Sequence, residues 1–265
     1  MTERVASNER TGARAGEPAR AGGFGFVDLA DADDGTARRF YERVLAPAFP
    51  PSELVGAEEF RIAWQGPLPG FHGTIVLEDG EPVAGALGEY SAATGIMLLS
   101  YLAVSGAMRG RGVGGELLGA VLPKWRAELA PLAVLAEIED PRFHRSGPHG
   151  DPVARVRFYD RAGARLLPFP YFQPSLRAGQ PRVRDMLLIS FDLDRDRVPA
   201  ESLLRYLEEY VRESEGEDAV RRGDPEYLAM REAVMAWGDS VPLWPLSRLH
   251  EVPRLGGGEA NGARD

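Results

Sequence analysis

Four glycines and two arginines fall within the seven residues 109–115. An apolar segment rich in strand-forming residues, 101–104, precedes them, and Leu117 and Leu118 begin an apolar pattern with helical spacing. The first N–H groups of a helix have no acceptor within the helix and attract anions, and glycine lets a phosphate approach the backbone closely. The turn therefore predicts a binding site for a pyrophosphate.

Gly110, Gly112 and Gly115 also satisfy the dinucleotide fingerprint G-x-G-x-x-G. Glu137 and Glu139 follow at about the distance of a ribose-binding carboxylate, which keeps an NAD(P)-dependent oxidoreductase open as an alternative. A dinucleotide turn normally follows its strand at once, however, whereas residues 105–109 separate the strand from the first glycine here. The two arginines also stand where that turn is usually small and apolar. Both observations make this alternative the weaker one.

A second pattern, R/Q-x-x-G-x-G/A, fits residues 109–114 after the strand at 102–104. Downstream, residues 157–164 contain Phe158 and Tyr159 followed by Gly163. In this order, with one strand between them, the two segments resemble the coenzyme-A motifs of the GCN5-related N-acetyltransferases (GNAT). The resemblance implies a mixed α/β fold in which helices flank a mostly antiparallel, twisted central sheet. It also implies acetyl-CoA as the co-substrate.

The resemblance assigns roles to individual residues. A bulge in the strand before the turn would expose the backbone of Leu102, Ala103 and Val104 to the pantetheine arm. Tyr159 would protonate the departing CoA thiolate, because a phenol with a pKa of about 10 can return a proton to a thiolate. The pyrophosphate would lie on the backbone of Arg109, Gly110, Arg111, Gly112, Val113, Gly114 and Gly115.

The base that takes the proton of an attacking amine is harder to assign. Glu137 and Glu139 share one face of a strand because side chains alternate there. Glu139 is our first candidate, since it lies nearer the carboxyl end of the strand; its structural alternative is an ion pair with Arg142 or Arg155. Glu89, at the end of an earlier strand, is a weaker candidate.

The loop at 141–150 carries His144 and His149, which could line an acceptor pocket or remain solvated bystanders. Their spacing lacks a carboxylate at helical interval and does not predict a metal site.

The chain departs from the family pattern at Pro152 and Arg155, where asparagine and a small residue are common. This departure puts contacts from that helix to the pantetheine arm in doubt, but not the pyrophosphate site.

Composition limits the classes of function. The chain has 265 residues, 44% of them hydrophobic, which is ample for a packed core, and no apolar window reaches the roughly 18 residues of a membrane span. It has no cysteine, so disulfides, thiolate metal sites and a cysteine nucleophile are excluded. A net charge of −9 argues against nonspecific binding to nucleic acid. We expect a cytoplasmic protein with neither a nucleic-acid nor a membrane partner.

The chain divides into four parts. Residues 1–23 are polar without the apolar core of a secretory signal and are predicted to be a disordered leader. Residues 24–195 form the acetyltransferase domain, residues 196–250 a helical C-terminal extension and residues 251–265 a disordered tail. The extension could pack on the core, shape the acceptor site or make a homodimer contact.

Periodicity and turn residues predict the elements. Asp151 and Pro152 are a typical N-cap and first residue of a helix, which Gly163 ends. Helices are predicted at 36–48, 53–64, 112–128, 151–163, 200–213 and 225–237, and strands at 73–77, 82–90, 95–104, 132–139, 165–169 and 185–192.

Together these features predict an enzyme that moves an acetyl group from acetyl-CoA to a primary amine of a small molecule or peptide. With no cysteine to carry the acyl group, direct attack in a ternary complex is the expected mechanism. A catalytically degenerate sensor of acyl-CoA is the alternative from a different class of protein. No metal is predicted.

Overall fold

The computed structural model describes residues 19–21, 23–66, 70–177, 179–191, 194–221 and 223–255. The strands are β1 Ala19–Ala21, β2 Phe24–Asp28, β3 Phe71–Glu78, β4 Glu81–Ser91, β5 Ile96–Val104, β6 Ala133–Glu139, β7 Arg165–Leu166, β8 Tyr171–Gln173, β9 Val183–Ser190, β10 Arg197–Pro199, β11 Ser240–Pro242 and β12 Trp244–Pro245. The α-helices are α1 Asp34–Phe40, α2 Ala46–Ala48, α3 Ala57–Gln65, α4 Val113–Leu129, α5 Pro152–Arg161, α6 Ala200–Glu215, α7 Glu217–Arg221 and α8 Pro225–Met235.

One large sheet has the strand order β1-β2-β3-β4-β5-β6-β9-β7-β12, with β8 paired to β9. In the described part of the chain every pairing is antiparallel except that of β5 with β6. Helices pack against the sheet. Two of them, α6 and α8, come after β9 in the chain and belong to the C-terminal extension. The predicted fold class, a mostly antiparallel sheet flanked by helices, is confirmed.

Apolar stripes on the helices explain how the layers hold together. The buried face of α4 carries Leu117, Val121 and Trp125, which pack on the sheet. On the part of the sheet that carries β8 and β9, α6 and α8 bury Leu203 and Met230. Burial of side chains of this size contributes about 1.5–3 kcal/mol each, so these contacts account for much of the stability.

Local chemistry explains most element boundaries. The β3–β4 hairpin turns at Asp79 and Gly80, whose φ angles of 51° and 79° suit the tight turn expected there. Helix α5 begins at the predicted N-cap, where the Asp151 side chain accepts a hydrogen bond from the Val153 N–H at 2.9 Å. The helix predicted at 53–64 begins later, at Ala57, because the Glu53 N–H donates to the Pro50 carbonyl in a turn.

The domain boundaries need correction at both ends. Ala19–Ala21, inside the predicted leader, form β1 because they pair with residues 24–26 of β2; the rest of that leader before Gly23 lies outside the described residues. Val252 and Arg254, inside the predicted tail, make ordered contacts. Val252 is buried, and Arg254 binds Asp185 at 2.7 Å. Residues 256–265 lie outside the described residues.

The C-terminal extension is also less separate than the sequence predicts. Strand β12 pairs Trp244 with Leu166 of β7, so the extension adds a strand to the central sheet. Its helices share one apolar cluster with Phe172 and Leu188 of that sheet. Core and extension therefore form a continuous packed unit, which brings α6 within reach of residues on β6.

Candidate active site

The sheet opens between its two parallel strands. Strand β5 pairs with β6 only from Ile96 to Leu99, and on its other side the register with β4 shifts so that Ser100 is left unpaired. This extra residue is a β-bulge, which bends a strand away from its neighbour. Beyond it, β5 remains paired with β4 but not with β6, so one edge of its backbone is free. The resemblance predicts such a bulge in this strand.

A cavity of about 620 Å³ occupies this opening, within the size range of small-molecule sites. It brings together most residues that the sequence singles out. The free edge of β5, the glycine turn, Glu137 and Tyr159 all contribute to its wall. Its lining includes Leu102, Ala103, Val104, Arg109, Gly110, Gly112, Val113, Gly114 and Gly115.

The glycine turn leaves several backbone donors available. Gly110 and Gly112 have φ angles of 80° and 84°, a region that favours glycine, and Gly112 caps α4 without a side-chain hydrogen bond. Among the described residues, no acceptor binds the N–H groups of Gly110, Gly112, Val113 or Gly114. Four free donors at the positive end of a 17-residue helix are suited to bind an anion.

The two arginines of the turn have different surroundings. Arg109 lines the cavity, and its guanidinium has no ion-pair partner in the part of the chain that the structure describes. The Arg111 guanidinium instead binds Glu78 at 2.9 Å, and the backbone N–H of Arg111 donates to the Met108 carbonyl. Arg111 therefore does not reach the cavity, contrary to its predicted role. Arg161, on the last turn of α5, lines the cavity and supplies a cation that sequence reasoning missed.

Tyr159 lies at the wall of the cavity on α5. Its ring packs edge-on against Phe158 and Phe191, with centroids 5.0 and 5.7 Å away. Burial raises the pKa of Tyr159 to about 12. Its hydroxyl has no hydrogen-bond partner within the described ranges. A neutral, fixed phenol with a free hydroxyl is suited to donate a proton or a hydrogen bond to a bound group.

The structure does not bring Glu139 into the cavity. Arg155 of α5 reaches across to it, and the guanidinium donates to Glu139 Oε2 at 2.8 Å. The ion-pair arrangement considered above is therefore the one found, with Arg155 as the partner, because Arg142 binds Asp140 instead. The His144 Nε2–H donates to the Arg184 carbonyl at 2.9 Å, and His144 does not line the cavity.

Glu137 lines the cavity, two residues before Glu139 on β6. The Tyr171 hydroxyl donates to its Oε1 at 2.5 Å, and the Tyr210 hydroxyl to its Oε2 at 3.4 Å. Burial raises the pKa of Glu137 to about 7, although both hydroxyls oppose the shift. A carboxyl group with such a pKa exchanges protons readily at neutral pH.

The comparisons with known proteins can be set beside this geometry. No protein-family model matches the sequence, and the search of curated proteins finds no match. Among solved structures, a protein of Bacteroides thetaiotaomicron assigned to the GNAT acetyltransferases is similar: 23% identity, TM-score 0.48, covering 63% of this chain and 85% of that one. The ribosomal-protein-S18-alanine N-acetyltransferase of Escherichia coli is 14% identical, with TM-score 0.44 and coverage of 63% and 92%.

A third solved structure, a GNAT family acetyltransferase from Elizabethkingia anophelis with acetyl-CoA bound, is 13% identical. Its TM-score is 0.41, and the match covers 65% of this chain and 100% of that one. The parallel β5–β6 pair that separates beyond the bulge is the part of the fold that holds the cavity.

Three further residues line the cavity. The sequence did not single out Glu53 or Gln173, and it named His149 only as a residue that could line an acceptor pocket. Glu53, in the loop before α3, lines the cavity, and burial raises its pKa above the usual value. Gln173 of β8 is only 8% exposed and has no side-chain hydrogen-bond partner among the described residues. His149 also lines the cavity. Glu89 accepts a hydrogen bond from Ser100 and stays outside the lining.

The described residues contain neither a cluster of metal-binding side chains nor a membrane-spanning helix. No group of three or more histidine, cysteine or acidic side chains there could hold a metal ion. The helices found in that part of the chain are too short or too polar to cross a membrane.

Proposed function

We propose that this chain is an N-acetyltransferase that moves an acetyl group from acetyl-CoA to a primary amine. One observation carries the proposal: a single cavity connects an anion site at a helix N-terminus, a free strand edge and a carboxyl group with a pKa of about 7. Binding of an extended, anionic donor and removal of a proton from an acceptor need these three features in this order.

The donor would occupy the half of the cavity formed by β5 and α4. The free N–H groups of the glycine turn and the Arg109 guanidinium would hold the pyrophosphate. The unpaired backbone at 102–104 would bond the amides of the pantetheine arm, as an added strand does. Phe158, which also lines the cavity, would pack against the apolar part of that arm.

The acetyl group would pass in one displacement. The amine nitrogen attacks the thioester carbon and the C–S bond breaks, while Glu137 accepts the proton that the nitrogen loses. Tyr159 gives its proton to the departing sulfur, and the charge of the tyrosinate is neutralised by proton exchange with solvent. Because the chain has no cysteine, we propose direct attack in a ternary complex.

The acceptor end favours a cationic amine of a small molecule or peptide. Glu53 and Glu137 both line it. Burial is the main cause of the raised pKa of each, Glu139 adds to the rise for Glu53, and Glu89 and Glu53 add to the rise for Glu137. A bound ammonium would relieve that repulsion. The Gln173 amide is available there for a neighbouring polar group of the acceptor. We place the reaction in the cytoplasm, with which a cysteine-free chain is compatible.

A screen for thiol release tests the proposal. Purified protein with acetyl-CoA and a panel of mono- and polyamines, amino sugars and peptides should release CoA and yield an acetylated amine with at least one member. Tight binding of acetyl-CoA with no acetylated product across the panel would favour the acyl-CoA sensor. Binding of NAD(P)H in preference to CoA would establish the oxidoreductase instead.

We predict that Tyr159→Phe lowers kcat by about 10- to 100-fold with little change in acetyl-CoA affinity, since the phenol acts on the leaving group. Steady-state kinetics and calorimetry measure the two quantities. Tyr90→Phe is the matched control, because Tyr90 is a partly buried tyrosine outside the cavity lining. An unchanged kcat in the Tyr159 variant would remove the proposed acid.

We also predict that Glu53→Gln raises the KM for a cationic acceptor by about 10-fold and changes kcat little, because a partly desolvated charge pair contributes about 1–2 kcal/mol. The rise in KM should be smaller for an acceptor that carries no positive charge besides the reacting amine. Glu59→Gln removes one charge from the exposed surface of α3 and serves as control. Equal KM values for both variants would contradict a role for Glu53 in binding.

A further inference from the structure

Helix α6 of the C-terminal extension reaches the carboxyl group that we assign as base. Its apolar face packs in one cluster with Leu98 of β5 and Tyr171 of β8. Buried residues of this face are Ala200, Leu203, Tyr206, Leu207 and Val211. Tyr210 lies beside this face, partly buried, and its hydroxyl bonds Glu137, 73 residues earlier in the chain.

Polar contacts fix the position of α6 along the sheet. At its start, the Ala200 N–H donates to the Asp239 carbonyl. In its middle, Glu209 accepts a hydrogen bond from the Ser91 hydroxyl at 3.2 Å. At its end, Glu215 accepts hydrogen bonds from Nε and Nη2 of Arg182, the residue before β9, at 2.8 and 2.5 Å. A helix anchored at three points holds a side chain in one place, so the reach of Tyr210 is specified by the fold.

Two tyrosines from distant parts of the chain thus bond the two oxygens of one carboxyl group. We propose that Tyr210 of α6 acts with Tyr171 of β8 as a positioning residue that orients Glu137 and favours its ionised form. The C-terminal extension is then part of the acceptor site and not merely a packing appendage. The inference rests on the proposed function in so far as Glu137 is the base.

The surroundings of Glu137 determine the sign of the effect. The titratable groups that face it are Glu53, Glu89, Tyr101, Tyr171, Tyr206 and Tyr210. The two carboxylates raise the pKa of Glu137, whereas the hydroxyls of Tyr171 and Tyr210 lower it. Burial holds the pKa of both tyrosines well above 10, so they remain donors throughout the neutral range. Loss of either hydroxyl therefore raises the pKa of Glu137 further.

Kinetics as a function of pH tests the inference. Tyr210→Phe should move the acidic limb of the kcat/KM profile upward by about 0.5 pH unit, and Tyr171→Phe by about 1 unit, since shorter bonds to a charged acceptor are stronger. For Tyr210→Phe the loss of activity should be about threefold at pH 6 and should vanish at pH 9. Tyr227→Phe, a buried tyrosine of α8 in the same cluster, is the control and should not shift the limb. A loss that is equal at every pH would indicate a merely structural role and overturn the inference.

Thermal unfolding gives a readout that needs no activity. Tyr210→Phe should lower Tm more at pH 8 than at pH 5, because the hydroxyl stabilises only the ionised carboxyl group. In a Glu137→Gln background this difference between the two pH values should disappear. If it persists, Tyr210 does not act through Glu137 and the inference fails, even for an active acetyltransferase. If it disappears but no amine is acetylated, the inference on Tyr210 and Glu137 coupling holds and the proposed function alone fails.

Discussion

Glu137→Gln should reduce acetyl transfer by about 100- to 10,000-fold, the usual contribution of a general base. The amide keeps the shape of the carboxyl group but cannot accept a proton from the amine. Affinity for acetyl-CoA should remain, because the glycine turn lies at the other end of the cavity. Single-turnover rates and calorimetric titration separate the two effects.

The same group predicts the pH dependence of the wild-type protein. A base with a pKa of about 7 must lose its proton to act, so kcat/KM should rise with pH through 7. The free energy of unfolding should change in the opposite direction and fall as pH rises. Since the folded chain binds a proton that the unfolded carboxyl group releases near its ordinary pKa, stability falls as pH rises from about 4.5 to 7. Glu137→Gln should therefore be more stable than the wild type at pH 8.

Glu139→Gln is the matched control for this prediction. It replaces a carboxyl group on the same face of the same strand, but one that binds Arg155 and does not line the cavity. We expect a loss of activity below about 10-fold, the scale of a partly exposed ion pair. If Glu139→Gln abolishes transfer and Glu137→Gln does not, the assignment of the base is reversed.

The second large effect is expected at the donor end. Gly115→Asp should weaken acetyl-CoA binding at least about 100-fold, because it adds a negative charge where the pyrophosphate must approach. A Cβ at Gly115 meets no atom within 4 Å and its φ angle is ordinary, so the variant should fold. The same change at Gly112 would also strain the backbone, whose φ angle is 84° there. Calorimetric titration with acetyl-CoA and with CoA measures the loss.

Gly119→Asp provides the control for the donor site. Gly119 lies one turn further along α4, has equally open space around its Cβ position and does not line the cavity. It adds the same charge to the same helix and should leave affinity within about twofold, since an exposed charge one turn away is largely screened. Unchanged affinity in both variants would contradict a pyrophosphate site at the turn.

Local signals in the sequence predicted the backbone conformation at the proposed donor end. The spacing of glycines after a strand, and the cap at Asp151, depend on backbone conformation within a few residues, and the structure has both where the pattern indicates. The hairpin at Asp79 and Gly80 follows from the same kind of signal. Such signals place turns, caps and helix starts, but they do not say which way a long side chain reaches. Arg111 shows this limit, because its guanidinium binds Glu78 on another strand.

The acceptor half depends on contacts between residues far apart in the chain. Alternation along β6 puts Glu137 and Glu139 on one face, but it cannot distinguish them. Arg155 of α5 donates a hydrogen bond to Glu139. The hydroxyls of Tyr171 and Tyr210, 34 and 73 residues away in the chain, donate to Glu137. A pKa near 7 arises only when these elements exclude water from the carboxyl group.

The sequence by itself thus determined the order of the elements, the glycine turn at the start of α4 and the place of Tyr159 on α5, because short-range spacing specifies them. Tertiary structure decided which carboxyl group faces the cavity, which arginine of the turn remains free and that α6 reaches the site. Burial, charge pairing and hydrogen bonding across the sheet set these outcomes, and each of them depends on packing that no local pattern contains.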